Sequence, residues 1–177
     1  TLRVALGHGS TTDSFDPATF ENGFANALCY SSGNHLTEIN NEGQLQPELA
    51  ESYTSDDGIT WHFKIRKGVE FHNGKTLDAT DIVDSLNHHL GEDSKSAGKA
   101  LISHIDTVKA DGKNGVVVQL KNGDADFPII LSDYHMNMCP SNGDGSVDWQ
   151  SCIGTGGYML VDHDPGVRTF TKRNPNY

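Results

Sequence analysis

The chain has 177 residues and carries 24 Asp and Glu against 13 Lys and Arg, which gives a formal net charge of −11 at pH 7. This acidity repels phosphate backbones and anionic lipids, so it argues against nucleic acid as a partner. Uncharged apolar stretches such as Phe127 to Leu131 fall far short of the ~20 residues that a membrane helix needs. No basic and apolar leader opens the chain, and we therefore expect a soluble polypeptide that has been processed or trimmed.

The first 46 residues predict three short elements. Thr1 to Leu6 is rich in β-branched and aliphatic residues, and it predicts a strand that ends at the Gly-His-Gly sequence after it. Phe24 to Tyr30 predicts a short helix. Leu36 to Ile39 predicts an extended segment, which turns at Asn40 to Gly43.

The clearest local pattern is a β-hairpin formed by Glu51 to Ser55 and Ile59 to Ile65. An Asp-Asp-Gly sequence joins the two strands, and Asp-Gly supplies the positive φ angles that a tight hairpin turn requires. Apolar and polar residues alternate along the second strand, which predicts that one face of it is buried. The basic pair Arg66-Lys67 that follows is expected to form a solvated edge that resists further sheet pairing.

A helix is predicted after the Asn-Gly turn that ends the extended segment Val69 to His72. Asp78 fits the N-cap position, and Asp81 lies three residues later as in a variant of the capping box. Apolar residues then recur at helical spacing up to Gly91, which suits the C-terminal stop.

The remaining segments alternate between short helices and strands that meet at glycine-containing turns. The predicted elements are a short helix or turn at Ala100 to Ile105, strands at Asp106 to Ala110 and Val116 to Leu120, a helix at Phe127 to Asp133, and strands at Tyr158 to Val161 and Arg168 to Arg173. Hairpins mixed with short helices indicate an α+β fold with a mixed β-sheet rather than a regular βαβ series.

Three cysteines are compatible with either redox compartment. Cys139 and Cys152 flank a loop rich in Gly, Asn and Asp, and that spacing suits a disulfide. Closing such a loop would stabilise the fold by roughly 3 kcal/mol, and Cys29 would then remain as a small buried apolar residue. Three unpaired buried thiols are the alternative, because spacing alone does not prove a bridge.

Several motifs occur in an order that is shared with a known family. They are PELAES at Pro47 to Ser52, SDDGITW at Ser55 to Trp61, IRKGVEFHNG at Ile65 to Gly74, LDATDIVDSL at Leu77 to Leu86, GTGGY at Gly154 to Tyr158, and RNPNY at Arg173 to Tyr177. Together they resemble the family 5 extracellular solute-binding proteins, which serve peptide and nickel ABC importers. Relatives usually have Pro where Gly157 stands, so we expect a looser turn here.

The resemblance implies part of a periplasmic-binding-protein-like fold of type II, the peptide-binding class, in which solute is enclosed between two lobes. Residues 1–46 and 151–177 would be parts of the first lobe, and residues 47–150 would be the smaller accessory α+β domain. The second lobe, which clamps the ligand, would be missing. The sequence is therefore expected to be the N-terminal portion of a longer receptor.

The function that the resemblance implies is substrate binding for an ABC importer, without catalysis. The protein would capture a peptide-like solute in the periplasm, or as a lipid-anchored protein outside the cytoplasmic membrane, and deliver it to the permease as a monomer. A nickel chelate, an oligosaccharide or an opine is the alternative ligand. A hydrolase of unrecognised type and a signalling or adhesion domain are the other classes, although no nucleophile elbow or carboxylate pair is recognisable.

The resemblance also points to one ligand-binding loop. In peptide-binding relatives the loop after the Asp-Pro turn approaches the ligand backbone, and here that loop contains Phe20, Glu21, Asn22 and Gly23. A glycine lets ligand backbone come close, Glu21 would meet a cationic group, and Asn22 can both donate and accept hydrogen bonds. The alternative is a solvated loop whose Asn-Gly is only a turn.

Metal and cofactor sites are not expected. The nine histidines are dispersed, and the adjacent His88 and His89 project to different faces of the predicted helix. The acidic loop that contains Asp144 and Asp148 lacks the Glu that closes a calcium loop. The glycine-rich sequence at 154–157 precedes a strand and lacks the Lys-Ser/Thr ending of a phosphate-binding loop.

Overall fold

The computed structural model describes residues 3–177, which form an α+β arrangement of short helices and antiparallel strands. The α-helices are α1 (Gly23–Ser32), α2 (Ala79–Leu90), α3 (Lys99–Ile102) and α4 (Phe127–Ile130), with two 3-10 turns at Pro17–Thr19 and Tyr134–Met136. The strands are β1 (Thr37–Ile39), β2 (Leu45–Pro47), β3 (Ala50–Thr54), β4 (Thr60–Ile65), β5 (Ile105–Ala110), β6 (Gly115–Leu120), β7 (Tyr158–Asp164) and β8 (Arg168–Arg173). The predicted fold class is confirmed.

A four-stranded antiparallel sheet in the order β3-β4-β6-β5 is the centre of the fold. The predicted β3-β4 hairpin is confirmed. Gly58 has a φ of 67°, and the Asp57 carboxylate accepts hydrogen bonds from the N–H groups of Ile59 and Thr60. Along β4 the residues Trp61, Phe63 and Ile65 are buried, and the residues between them are exposed. The sheet therefore has one face directed into the core.

Helix α2 packs on this sheet against β5 and β6. The predicted capping box is confirmed, because the Asp78 side chain accepts from the Thr80 N–H and the Asp78 N–H donates to Asp81 Oδ2, each at 2.9 Å. The helix ends before Gly91 as predicted, but Gly91 has a φ of −47° instead of the left-handed conformation typical of such stops. Lys99 Nζ donates to the Gly91 carbonyl, so a side chain completes this end.

The sheet and α2 enclose one continuous apolar core. Its residues come from many segments between Leu36 and Met138. Those less than 2% exposed include Leu36, Ile65, Leu77, Ile82, Leu86, Ile102, Val118, Phe127, Leu131, Met136 and Met138. Among residues 3–177, no helix is long and apolar enough to cross a membrane.

The N-terminal segment adds α1 and a small hairpin. Helix α1 is longer than predicted because Asn22 caps it and its last turn continues to Ser32. The extended segment before Asn40 is confirmed as β1, which pairs with β2, a strand that the sequence did not predict. The strand predicted at Thr1 to Leu6 is wrong for Arg3 to Leu6, which are exposed and pair with no described strand; Thr1 and Leu2 lie outside the described residues.

Two predicted helices are shorter in the structure. Helix α4 ends at Ile130 instead of Asp133, because the Pro128 carbonyl accepts from Thr37 Oγ1 at 2.6 Å and does not continue a helical ladder. The helix or turn predicted at 100–105 is α3, and Ile105 already belongs to β5. The extended segment at 69–72 forms only the isolated bridge between Glu70 and Thr76.

Candidate functional site

The glycine-rich turn at 154–157 lies directly against the end of α1. A Cβ atom on Gly154 would lie 2.0 Å from the Ser32 carbonyl oxygen, and one on Gly156 would lie 2.6 Å from the Ser32 carbonyl carbon. Only glycine permits this approach of two backbones. The Gly156 N–H donates to the Ser32 carbonyl at 2.9 Å, so the turn serves packing and does not cradle a phosphate.

Three of the sequence motifs meet at this turn. The Gly156 carbonyl accepts from His72 Nε2 at 2.9 Å and from Asn174 Nδ2 at 3.2 Å. His72 Nδ1 accepts from the Gly154 N–H at 3.3 Å, which fixes a neutral ring with its proton on Nε2. Burial lowers the pKa of His72, partly offset by its bond to Gly156. We call this arrangement the motif junction; it ties His72 to the end of α1 and to the chain after β8.

The predicted ligand loop does not expose all four of its residues. Phe20 is only 3% exposed and packs with Ala25 and Cys29 in a small apolar cluster. Asn22 is the N-cap of α1: its Oδ1 accepts from the Ala25 N–H at 3.0 Å, and its Nδ2 donates to Asp13 Oδ1 at 2.7 Å. Both polar atoms of the Asn22 side chain are therefore engaged within the chain.

Glu21 and the helix start remain accessible in this loop. The Glu21 side chain is exposed, and Gly23 is the first residue of α1. A small cavity beside the loop, lined in part by Phe20, has a volume of about 10 Å³, which is room for about one water. A solute held at this loop would therefore need a second wall from elsewhere. The role of 20–23 in solute binding stays a prediction.

The three cysteines line that same small cavity as free thiols. The structure thus contains no bond between Cys139 and Cys152, although both border one space. Burial raises the pKa of all three thiols, that of Cys152 to about 11. Cys152 also has a φ of 50°, a left-handed conformation that is uncommon outside glycine. The disulfide stays a prediction for the oxidised protein.

A cysteine, a histidine and a glutamate form a buried row that has the order of a thiol protease triad. Cys29 Sγ lies 3.5 Å from His35 Nε2, and His35 Nδ1 lies 3.5 Å from Glu48 Oε2. Cys29 is 1% exposed, its thiol donates to the Tyr134 carbonyl at 3.2 Å, and burial raises its pKa well above the ordinary value. A thiol that stays protonated and out of reach of substrate is a poor nucleophile, so this row is structural.

The histidines and acidic residues considered for metal binding have partners within the chain. His88 Nε2 lies 2.7 Å from Asp16 Oδ1, and His89 Nδ1 lies 2.6 Å from Ser96 Oγ. Asp144 Oδ1 accepts from the Ser146 N–H and hydroxyl. Within residues 3–177, no three His, Cys, Asp or Glu side chains come together as a metal site would require.

Two kinds of known protein are similar in sequence to this chain. The chain is 31% identical over 146 residues to the HTH-type transcriptional regulator SgrR of Pectobacterium atrosepticum, which covers 76% of this chain and 24% of the regulator. It is 26% identical over 200 residues to the periplasmic oligopeptide-binding protein OppA of Haemophilus influenzae, which covers 98% of this chain and 36% of OppA.

Solved structures share the fold over almost the whole chain. OppA of Haemophilus influenzae, in complex with RPPGFSPFR, superposes with a TM-score of 0.84 at 24% identity and covers 97% of this chain and 37% of its own. The nickel ABC transporter structure from Bacillus halodurans gives a TM-score of 0.78 at 26% identity, with 93% and 33% covered. The chain thus spans between about a quarter and two fifths of the length of these relatives.

The family comparison covers most of the chain. The model of "Bacterial extracellular solute-binding proteins, family 5 Middle" matches residues 44–177. This range contains the central sheet, α2 and the motif junction apart from its α1 side. The chain therefore belongs to the family 5 bacterial extracellular solute-binding proteins.

Proposed function

We propose that this chain is the N-terminal portion of a receptor that captures a peptide-like solute outside the cytoplasmic membrane and delivers it to an ABC permease. The observation that carries the proposal is the match of residues 44–177 to a family of extracellular solute-binding proteins. Members of this family bind solutes, so we propose that the receptor binds its solute without chemical turnover. It would act as a periplasmic or lipid-anchored monomer.

The lobes would be divided as the sequence predicts. Residues 47–150 contain the four-stranded sheet and α2, and they would form the accessory domain. Residues 1–46 and 151–177 meet at the motif junction, where Thr155 Oγ1 donates to Asn34 Oδ1 at 2.8 Å, and they would form part of the first lobe. The clamping lobe would come from residues outside this chain.

A peptide-like ligand is favoured over a nickel chelate, an oligosaccharide or an opine. The relative that covers 98% of this chain is named an oligopeptide-binding protein. Glu21 offers an exposed carboxylate at the loop, and we propose that it pairs with an ammonium group of the solute. The histidines at 88 and 89 are engaged with Asp16 and Ser96, which gives no support to a nickel ligand set in this portion.

Calorimetry on the full-length receptor tests this proposal. A mixed library of short peptides is expected to release heat on binding and to raise the melting temperature, whereas nickel with free histidine, oligosaccharides and opines are expected to do neither. Binding to one of those ligands in place of peptides would contradict the ligand class. No binding to any of them would contradict the proposed function itself.

Glu21→Gln gives a sharper test of the loop. Loss of the carboxylate is expected to weaken binding of a peptide with a free ammonium group by about tenfold, since a hydrogen bond between charged groups contributes roughly 1.5–3 kcal/mol. Glu42→Gln is the matched control, because Glu42 is also exposed but lies in the β1-β2 turn. Equal affinities of both variants and the parent would remove Glu21 from the site.

A second candidate is a solute-sensing domain within a transcriptional regulator. The match to SgrR, which is named an HTH-type transcriptional regulator, favours it. Cell fractionation distinguishes the two: a receptor is expected in the periplasmic or membrane fraction, and a regulator is expected in the cytoplasm together with DNA.

A further inference from the structure

A second cleft lies next to the motif junction, on the side away from the predicted ligand loop. It lies between the turn after β4, at residues 66–74, and the end of β8 with the chain that follows it, at residues 172–177. Its volume is about 620 Å³, within the usual range of about 300–1,000 Å³ for small-molecule sites. None of the residues Phe20 to Gly23 lines it. The cleft is therefore large enough for a ligand of its own.

Three cations line this cleft in a chain where acids outnumber bases by 24 to 13. They are Arg66, Lys172 and Arg173. Within the described part of the chain, none of the three has a carboxylate oxygen within 4.0 Å, whereas Lys64, Lys75 and Arg168 each pair with an acid. Unpaired cations that share one concave surface attract anions and exclude like charge.

Among the three cations, Arg66 has a side-chain hydrogen bond within the described residues, and Lys172 and Arg173 have none. Its N–H donates to the Leu49 carbonyl at 2.9 Å, and its Nε donates to the Glu48 carbonyl at 3.1 Å. The Nε bond engages one edge of the guanidinium and leaves the terminal amino groups without a partner in residues 3–177. A guanidinium held in this way presents paired N–H donors that match the oxygens of a carboxylate or phosphate.

The acids of the cleft do not neutralise this surface fully. Glu48 lines it, but its carboxylate already accepts from Asn34 Nδ2 at 2.5 Å and from the His35 N–H at 2.6 Å. Glu70 is the other acid in the lining and lies exposed in the turn after β4. The cations therefore exceed the acids by one, and one of the two acids is bound to neutral and backbone groups of the fold.

The remaining lining is apolar or amide. Leu49 and Phe71 are buried in the lining, Tyr177 is exposed, and the Asn176 side chain adds polar groups, whereas both polar atoms of the Asn174 side chain are bonded within the chain. Such a wall suits a ligand that has an apolar body and one anionic group. A bare inorganic ion would fill only a small part of the volume.

From these features we infer that the cleft binds a small organic oxyanion, with Arg66 and Arg173 as the donors to its carboxylate or phosphate ester group. This site is separate from the solute site proposed above and does not depend on the identity of that solute. The two donors come from segments that the motif junction holds together. Binding would therefore bridge the accessory segment and the C-terminal hairpin.

The test is calorimetric titration of the full-length protein with three probes of similar shape. Phenyl phosphate and phenylacetate are expected to bind, and the neutral phenylacetamide is expected to bind at least tenfold more weakly, as loss of a charged hydrogen bond implies. The tighter of the two anions identifies the oxyanion as a phosphate ester or a carboxylate. Equal affinity for the amide would overturn the inference, because apolar contact alone would then explain binding.

Variants locate the binding to the cleft. Arg66→Gln and Arg173→Gln are each expected to weaken binding of the better anion by about tenfold. Lys67→Gln and Arg168→Gln are the controls: each removes one charge from the same two segments, but Lys67 does not line the cleft and Arg168 pairs with Asp162 at 3.0 Å. Unfolding curves check that all four variants fold. Equal losses in all four, or no anion binding below about 10 mM, would overturn the inference.

Discussion

The β3-β4 hairpin and the β7-β8 hairpin have the same local architecture but very different surroundings. In β4, Phe63 is 2% exposed and lies in a sheet of four strands that α2 covers. In β8, Phe170 is 54% exposed, and β7 and β8 pair only with each other in the described chain. An isolated two-stranded hairpin is at best marginally stable in water. The β3-β4 hairpin thus lies in a closed region with its own core, whereas the β7-β8 hairpin contacts α1 through His163 and leaves Phe170 exposed.

The largest expected difference between the two regions follows from removal of one aromatic ring. Phe63→Ala is expected to lower the free energy of unfolding by about 3–5 kcal/mol, because it leaves a cavity among tightly packed residues. Phe170→Ala is expected to change it by no more than about 0.5 kcal/mol, since the ring is already largely hydrated. Urea unfolding followed by circular dichroism measures both. Similar losses of stability for the two variants would mean that Phe170 contributes as much packing as Phe63.

Local patterns in the sequence predicted the hairpins and the α2 cap because those interactions join residues close in the chain. The Asp56 to Gly58 turn and the Asp78 capping box depend on neighbours within three residues. The end of α4 was not predictable in this way, because Thr37 takes the Pro128 carbonyl from 91 residues away. The strand predicted at the N-terminus failed for a related reason: strand propensity gives a strand only where a partner lies beside it.

The candidate sites were predictable only where a motif could be matched. The resemblance identifies the loop at 20–23, but no local pattern predicts that Tyr134 and residues of α1 bury Phe20. The sequence predicts that Arg66 lies on a solvated edge, and Arg66 is exposed, but the sequence does not predict that its Nε donates to the Glu48 carbonyl beside a cleft. Its nearness to Arg173 depends on the motif junction. Charged residues that come together from distant segments leave no local pattern in the sequence.

The stability of the closed region is expected to depend on pH through His89. This side chain lies on α2, 1% exposed, beside His88 and His135 and near Asp16 of the N-terminal segment. Burial, followed by the charge of His88, lowers its pKa from 6.5 to about 4. In the unfolded chain His89 takes up a proton below about pH 6.5. The stability that the folded protein gains from a neutral His89 is therefore complete above that pH. It is lost progressively as the pH falls to about 4.

The loss between these pH values is expected to reach about 3 kcal/mol. Urea unfolding at steps from pH 7.5 to 4 measures it, and His89→Asn, which keeps a polar partner for Ser96, is expected to flatten the curve. His62→Asn is the control, because His62 is exposed on β4. Asp16 does not confuse this window: burial opposes its ionisation, but bonds from His88 and the Ala18 N–H lower its pKa below 3.8. A curve unchanged by His89→Asn would contradict the assignment.

A disulfide between Cys139 and Cys152 would join the closed region to the segment that leads into β7. In the oxidised full-length protein we expect a mass lower by two hydrogens than after reduction, and a stability higher by roughly 3 kcal/mol. The buried thiols have raised pKa values, so air oxidation of the folded, reduced protein is expected to be slow. Identical masses with and without reductant would remove the bridge.

A smaller effect than the loss of the Phe63 ring is expected at the start of α2. Asp78→Ala removes the acceptor for the Thr80 N–H and is expected to cost about 1 kcal/mol, the usual value of an N-cap. Asp78→Asn keeps an acceptor oxygen and is expected to cost clearly less, which separates the cap from any other effect of the position. Both are measured by urea unfolding beside Phe63→Ala.

The losses of stability in Asp78→Ala and Phe63→Ala together test whether the N-cap or side-chain packing stabilises the closed region. If α2 is held mainly by Ile82 and Leu86, which are fully buried against the sheet, loss of the cap leaves the helix folded and costs only its own hydrogen bond. A loss after Asp78→Ala as large as that after Phe63→Ala would mean that α2 depends on its first turn. The cover of the sheet by α2 would then depend on the cap. The difference in burial between the β3-β4 and β7-β8 hairpins would be caused by Asp78 and not by side-chain packing.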